Sequence, residues 1–121
     1  MKIFAENKRA FFDYEILEKY EAGLKLYGFE VKAVKTGHLN LIGSYAVIKN
    51  GEVFLLNAYI PPYQPKNTPL SYEPARSRKL LLKSSEIKGL IGKVQSQGLT
   101  LIPLRVYTKD RGKLKLEFAL V

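Results

Sequence analysis

The sequence of 121 residues predicts a mainly β fold, an antiparallel OB-like β-barrel of about six strands with two or three embedded helices. Two pairs of strand-like segments, each joined by turn residues, indicate hairpins, and one amphipathic segment between them indicates a helix. A closed or partly closed barrel is favoured because closure removes the exposed edges of a sheet. An Ig-like sandwich is less favoured, because a helix lies between the strands along the chain. The length fits a single domain over residues 1–121.

The first hairpin is predicted around Asn50-Gly51. Residues 44–49 and 52–59 are rich in aliphatic and aromatic side chains, as strands are. Asn-Gly tolerates the positive φ angles of a type I′ turn. This segment therefore predicts two antiparallel strands joined by a tight turn.

The second hairpin is predicted near the end of the chain, between residues 99–107 and 113–121. Apolar residues at even positions from Leu114 to Leu120 alternate with residues on the opposite face of a strand. Pro103 has no N–H to donate, so we expect it at a sheet edge or at a bulge.

Residues 84–97 are predicted to form the main helix. Ile87, Leu90, Ile91 and Val94 recur at helical spacing, and Gly98 ends the segment. We expect Ser84 or Ser85 to cap the first turn and Glu86 to complement the helix dipole.

Three other segments are less regular. The alternation over residues 11–27 predicts a long, bent or bulged strand. Residues 28–37 predict a short helix with Lys32 and Lys35 exposed, although a strand is an open alternative. Residues 61–74 hold five prolines and predict an irregular connector. These prolines are Pro61, Pro62, Pro65, Pro69 and Pro74.

The charge of the chain is unevenly distributed. The formal net charge is +9, and residues 61–121 hold 12 basic and 4 acidic side chains. Such a cationic excess favours a polyanionic partner, nucleic acid in particular, whereas a solvated face that keeps the protein dissolved is the alternative. A membrane-surface helix is disfavoured, because the main helix needs its apolar stripe for the core.

Other classes of function find little support in the residues. The chain has no cysteine, which excludes disulfides, cysteine-ligated zinc and thiol chemistry and fits a cytoplasmic protein. No apolar run is long enough for a membrane span. His38 is expected at a turn or on the surface, and the acids between Asp13 and Glu21 are expected to balance neighbouring lysines. We therefore expect no enzyme, no cofactor and no metal site.

Recognition of RNA needs cations for phosphates and flat or hydrogen-bonding side chains for unpaired bases. Asn7, Lys8 and Arg9 precede two phenylalanines, and further cations follow the tyrosines of the proline-rich connector. We expect Arg76, Arg78, Lys79 and Lys83 to be exposed, because charged groups need water or a partner. Most aromatic side chains are expected in the core or on strand faces.

Nine motifs, in order and at compatible spacing through residues 3–120, resemble one known family. They include Asn7-Lys8-Arg9-Ala10, Tyr20-Glu21-Ala22-Gly23, Arg76-Ser77-Arg78-Lys79-Leu80-Leu81-Leu82 and Arg111-Gly112-Lys113. On these residues the sequence resembles the small protein B family, the SsrA-binding or tmRNA-binding proteins.

The resemblance implies a protein that binds the tRNA-like domain of tmRNA. Together with elongation factor Tu, such a protein supports the delivery of tmRNA to stalled ribosomes in trans-translation. A generic OB-type single-strand RNA-binding or ribosome-associated protein is the alternative. We expect a monomer that does not bind membranes.

The resemblance also implies RNA-binding roles for Asn7, Lys8, Glu21, Leu81 and Lys83. A carboxylate such as Glu21 can accept hydrogen bonds from base N–H groups. Leu81 either packs on an unstacked base or belongs to the core, and Lys83 departs from the neutral residue of some relatives. With the cations noted above, the expected RNA-binding residues are Asn7, Lys8, Arg9, Glu21, Lys32, Arg76, Arg78, Lys79, Leu81 and Lys83.

Family members carry a basic, flexible tail beyond the barrel that occupies the decoding site of the ribosome, whereas this sequence ends at Leu120-Val121. Either the chain has been shortened or this member lacks the tail. We expect the 121-residue chain to bind tmRNA without supporting peptide tagging.

Overall fold

Seven strands and three α-helices are found in the part of the chain that the structure describes. The structure is a computed structural model, and it describes every residue except Pro65 and Asn67. The elements are β1 (Lys2–Glu6), α1 (Lys8–Asp13), β2 (Glu18–Leu24), α2 (Gly28–Lys35), β3 (Tyr45–Lys49), β4 (Glu52–Leu56), β5 (Arg78–Leu81), α3 (Ser84–Gln97), β6 (Leu101–Lys109) and β7 (Lys113–Leu120).

Six of these strands close into a ring. The hydrogen-bonded order is β6, β3, β4, β5, β2 and β7, and β7 pairs again with β6. β1 is added outside the ring on β6, where β3 leaves most of the β6 edge free by pairing only at Ala46 and Leu101. The predicted mainly β, antiparallel, OB-like fold is confirmed, with seven strands in the described chain instead of about six.

The core fills the inside of the ring. Leu80, Val106, Leu116 and Phe118 are buried there together with Leu90 of α3, and each such side chain contributes about 1.5–3 kcal/mol by leaving water. A second, smaller cluster lies on the outer side of β6 and β7, where α1 packs. Its buried members are Ala10, Ile102, Leu104 and Ala119.

Both predicted hairpins are confirmed. β3 pairs with β4 in register from Tyr45 and Leu56 to Lys49 and Glu52, and the turn residues Asn50 and Gly51 have φ angles of 53° and 73°. The strand predicted over residues 52–59 is shorter, because Asn57 has a φ of 62°.

The β6–β7 ladder shifts register between Pro103 and Arg105. The bulge expected at this proline is therefore present.

The main helix is confirmed over Ser84–Gln97, and Gly98 ends it with a φ of 64°. The expected serine cap is wrong, because the residue before the first helical position is Lys83. Its backbone N–H donates to the Glu86 carboxylate at 3.0 Å. For residues 28–37, the helix is the correct alternative, with Lys32 and Lys35 both exposed.

The long strand predicted over residues 11–27 is wrong in its first part. Residues 8–13 form α1, and β2 begins only at Glu18. Local alternation is outweighed there by burial, because α1 places Ala10 against the outer cluster on β6 and β7.

The proline-rich connector contains no α-helix or β-strand over its described residues. Pro65 lies outside the described residues, so the prediction is not tested at that position.

Candidate nucleic-acid interface

Alternation along β5 decides which of its side chains face the solvent. Arg78 and Leu80 are buried on the inner side, and Lys79 and Leu81 lie on the outer side. Leu81 is 49% exposed. An exposed leucine on a strand surface is available to pack on a partner.

Gly23 lies beside Leu81 on the outer surface. The register pairs Leu81 with Gly23 on β2, and Gly23 with Lys115 on β7. Because glycine has no side chain, the surface dips between Leu81 and Lys115. A cavity of about 590 Å³ opens at this dip. Its wall includes Glu21, Lys79, Leu81, Lys83 and Lys115.

Glu21 is held by hydrogen bonds on the same outer face. The Tyr107 hydroxyl donates to its carboxylate, and the Lys109 Nζ lies 3.2 Å from the same oxygen. The hydrogen bond from Tyr107 and the neighbouring lysines lower the pKa of Glu21. Burial, and then the bond to Glu21, raise the pKa of Tyr107. Glu21 is therefore an ionised acceptor at neutral pH, and its oxygens have spare capacity for further donors.

The cations of this face differ in their partners. Lys79 lies 3.0 Å from Glu52, and Arg105 lies 3.1 Å from Glu117. Lys83 and Lys115 form no side-chain hydrogen bond or ion pair with the described residues. These two lysines supply positive charge that no ion pair within the described chain takes up.

Arg78 contradicts the prediction that all four cations of this segment are exposed. Its side chain is fully buried, and its Nε and Nη2 donate to Glu30 at 2.9 and 2.7 Å. It also donates to the carbonyls of Ala58 and Pro74. Alternation with Leu80 was the sequence signal for this burial, and the buried Glu30 supplies the partner that a buried cation requires. In this position Arg78 fixes the fold and does not reach a ligand.

Arg76 also departs from the expected exposure, since its side chain is only 24% exposed. It binds Glu30 through two nitrogens and lies 4.1 Å above the ring of Tyr27. Burial alone would raise the pKa of Glu30, but hydrogen bonds from Arg76, the Tyr27 N–H and Arg78 outweigh it and lower the pKa. Burial and the bond to Glu30 raise the pKa of Tyr72 to about 12. The network attaches the proline-rich connector to α2 and β5.

The Asn7-Lys8-Arg9 group lies at the start of α1. Asn7 is buried, and its amide donates to the Pro103 carbonyl at 3.1 Å. Lys8 and Arg9 are exposed, with Arg9 3.7 Å from Asp13. α1 packs on the outer side of β6 and β7, and Arg9 lines a cavity there together with Ile42 and Tyr45.

The other residues considered in the sequence are Lys32, His38 and the acidic side chains of residues 13–21. Lys32 is exposed on α2 and does not line the cavity at Gly23. His38 is exposed, as expected, with Nδ1 2.9 Å from the Thr36 hydroxyl. Asp13, Glu18 and Glu21 each pair with a cation, as expected for charge balance.

Sequence reasoning missed Gly23, Tyr107, Lys109 and Lys115 as parts of this face. The strict alternation of β7 places Lys115 on the face opposite the buried leucines, so its exposure to the outer face could have been predicted from the sequence. Tyr107 and Lys109 depended on the strand register, which the sequence does not contain.

No group of three or more His, Cys, Asp or Glu side chains in the described chain is placed to hold a metal ion. None of the described helices has the length and apolar character needed to cross a membrane.

The ring of antiparallel strands, with a cationic outer face, an exposed leucine and a hydrogen-bonded carboxylate, defines an OB-like domain of the nucleic-acid-binding type. The model of the SmpB protein family matches residues 4–121. The chain therefore belongs to the SmpB protein family.

Named relatives agree with this family. The SsrA-binding protein of Trichodesmium erythraeum is 52% identical over 119 residues, which is 98% of this chain and 76% of the relative. The SsrA-binding protein of Sulfurihydrogenibium sp. is 53% identical over 119 residues, which is 98% of this chain and 77% of the relative.

A solved structure described as "tmRNA-SmpB: a journey to the center of the bacterial ribosome" is also similar. It is 47% identical, with a TM-score of 0.76, over 96% of this chain and 80% of that chain.

Proposed function

We propose that this protein binds the tRNA-like domain of tmRNA through the outer face of β2, β5 and β7 and supports its delivery to stalled ribosomes in trans-translation. The observation that carries the proposal is the cavity of about 590 Å³ beside Gly23. Glu21 comes from one stretch of the sequence and Lys79, Leu81 and Lys83 from another, and all four line this cavity.

The relatives support the same function. Relatives 52% and 53% identical to this chain are named SsrA-binding proteins, and the description of a similar solved structure names tmRNA, SmpB and the bacterial ribosome together. These names describe binding, which agrees with the expectation that the chain is not an enzyme.

In this proposal some residues attract the RNA and others select it. Lys79, Lys83 and Lys115 contact phosphates, which orients the RNA without reading its sequence. Leu81 packs against an unstacked base, and Glu21 accepts hydrogen bonds from base N–H groups. A carboxylate repels phosphates, so its presence in a cationic cavity favours RNA that places base donors there.

Lys8 and Arg9, at the start of α1, add a second group of cations outside the cavity. Lys19 and Gly23 pair with Ala119 and Lys115 on β7, four residues apart along β2, which corresponds to about 13 Å. Phe11 of α1 lies near Lys19, with the lysine Nζ 5.9 Å from its ring centroid. A folded RNA is wide enough to contact both groups at once.

Several finer features belong to the same proposal. Asn7 fixes the start of α1 through Pro103, so that Lys8 and Arg9 are presented outward, and Lys32 and Arg76 add cations beyond the cavity. The protein acts as a monomer in the cytoplasm, in one complex with tmRNA and elongation factor Tu.

A competition gel shift tests the function. The labelled RNA is the tRNA-like domain of tmRNA, and the competitors are the same RNA unlabelled and an unstructured RNA of equal length. Strong preference for the folded RNA is expected. Equal competition by the two RNAs would instead identify a generic single-strand binder.

A further inference from the structure

We infer that a second cavity, on the other side of Gly23, holds one unpaired nucleotide of the bound RNA. The inference rests on the proposed function and adds a binding position to it. The cavity measures about 360 Å³, within the range of small-ligand sites. Its wall is mostly aliphatic and is formed by Leu24, Leu26, Val31, Leu81 and Leu114, with Gly23, Gly112, Lys113 and Lys115 around them.

The two cavities are neighbours on one surface. Gly23, Leu81 and Lys115 line both of them. Because Gly23 has no side chain between Lys115 and Leu81, the surface is low where the cavities meet. A strand of RNA that contacts Leu81 in the first cavity can therefore place an adjacent nucleotide in the second.

The cations beside the second cavity form no ion pair with the described carboxylates. Lys35 of α2 reaches the β6–β7 turn, where its Nζ lies 3.5 Å from the position of a Cβ on Gly112. Arg111, in the same turn, has a φ of 60° and is exposed. Within the described chain, the side chains of Lys35, Arg111, Lys113 and Lys115 form no hydrogen bond or ion pair.

This absence of ion pairs contrasts with three other cations of the face. Lys79, Arg105 and Lys109 are each within 3.2 Å of a carboxylate. Four cations close to one another without such a partner repel each other, and a bound phosphate relieves that repulsion.

The chemistry of the cavity specifies its ligand. The aliphatic wall favours the flat, poorly hydrated face of a base, and the cations at the rim favour the phosphates on either side of it. A base inside a duplex is stacked and paired, and cannot enter the cavity without leaving its partner. The ligand is therefore a nucleotide that is already unpaired in the folded RNA.

Site-specific crosslinking tests this position directly. The natural chain has no cysteine, so Val31→Cys provides a single attachment point for a photo-crosslinker. In the complex with the tRNA-like domain of tmRNA, we expect crosslinks confined to one or two unpaired nucleotides, mapped as reverse-transcription stops. Lys88→Cys, exposed on α3 and outside both cavities, is the matched control. Stops identical to those of the control, or stops confined to duplex positions, would overturn the inference.

A charge test does not depend on a substitution in the cavity wall. The double variant Lys35→Ala/Arg111→Ala should bind the tRNA-like domain more weakly, and the slope of log K against log salt should become shallower by about 0.7 to 0.9 for each lost contact. Lys49→Ala/Lys88→Ala removes the same charge from exposed positions elsewhere and should leave the slope nearly unchanged.

The two proposals fail in different ways. If the unaltered protein shows no preference for the tRNA-like domain, the proposed function fails. If the unaltered protein shows that preference and the Lys35/Arg111 variant keeps both affinity and slope, only the second cavity is excluded.

Discussion

Gly23 and Leu81 face each other across the β2–β5 ladder so closely that a Cβ on Gly23 would lie 3.2 Å from the Leu81 Cβ. Leu81 is exposed although the residue before it is buried. Its side-chain position is therefore set by the strand alternation and by the missing side chain of its neighbour. The same pair marks the low point of the proposed RNA-binding face.

Gly23→Ala should weaken binding of the tRNA-like domain by several fold. The added methyl group moves Leu81 by a few tenths of an ångström and partly fills the dip between Leu81 and Lys115. The free energy of unfolding should change by no more than about 1 kcal/mol, because alanine is also accepted in strands. Fluorescence binding titrations and urea unfolding measure the two effects. An unaltered affinity would show that the dip is not used.

Glu21→Ala should weaken binding of the tRNA-like domain by about 1 to 3 kcal/mol, as expected when a base loses a specific hydrogen-bond acceptor. Binding of an unstructured RNA should change little, since phosphates gain nothing from a carboxylate. Parallel titrations with both RNAs measure the difference. Tyr107→Phe is the companion variant, because it removes the hydrogen bond to Glu21 and keeps the carboxylate. An equal loss of affinity for both RNAs would exclude base reading by Glu21.

Lys79→Ala should weaken binding to every RNA tested. The slope of log K against log salt should become shallower by about 0.7 to 0.9, the change expected for one phosphate contact. Titrations between low and moderate salt give the slope. Lys88→Ala is the matched control, because Lys88 is exposed and does not line the cavity. A slope equal to that of the control would place Lys79 away from the RNA.

Arg78→Met should destabilise the fold by roughly 3–5 kcal/mol, because removal of one partner leaves the buried Glu30 carboxylate incompletely compensated. Urea unfolding measures this change. Lys88→Met, at an exposed position, should lower the free energy of unfolding by less than about 0.5 kcal/mol. If Arg78→Met lowers the free energy of unfolding as little as the control does, the buried network contributes little to stability.

The pH dependence of stability should reflect Glu30. Its pKa is lower in the folded protein than the ordinary value of 4.5, so its stabilising contribution is complete above pH 4.5. The contribution is lost as the pH falls through that value toward the folded pKa. Glu30→Gln should therefore show a smaller decrease in unfolding free energy between pH 7 and pH 3. Glu6→Gln, at an exposed position, is the control, and equal decreases in the two variants would contradict the role of Glu30.

The sequence by itself determined the local features of this protein. Asn50-Gly51, the alternation from Leu114 to Leu120 and the helical spacing from Ile87 to Val94 each predict one element, because turn conformation and side-chain periodicity act over a few residues. The motifs also indicated Glu21, Leu81 and Lys83 as members of one RNA-binding set.

Only the tertiary structure decided which of these side chains share a surface. The sequence pattern predicts a strand from residue 11, but residues 11–13 end a helix, because the neighbouring Ala10 is buried against Ile102 and Leu104 from the far end of the chain. Arg78 carries a positive charge as Lys79 does, yet Glu30, 48 residues earlier, holds it inside. Gly23 and Lys115 became part of the face through strand register. Burial and pairing between distant residues are properties of the folded chain, and a local pattern does not contain them.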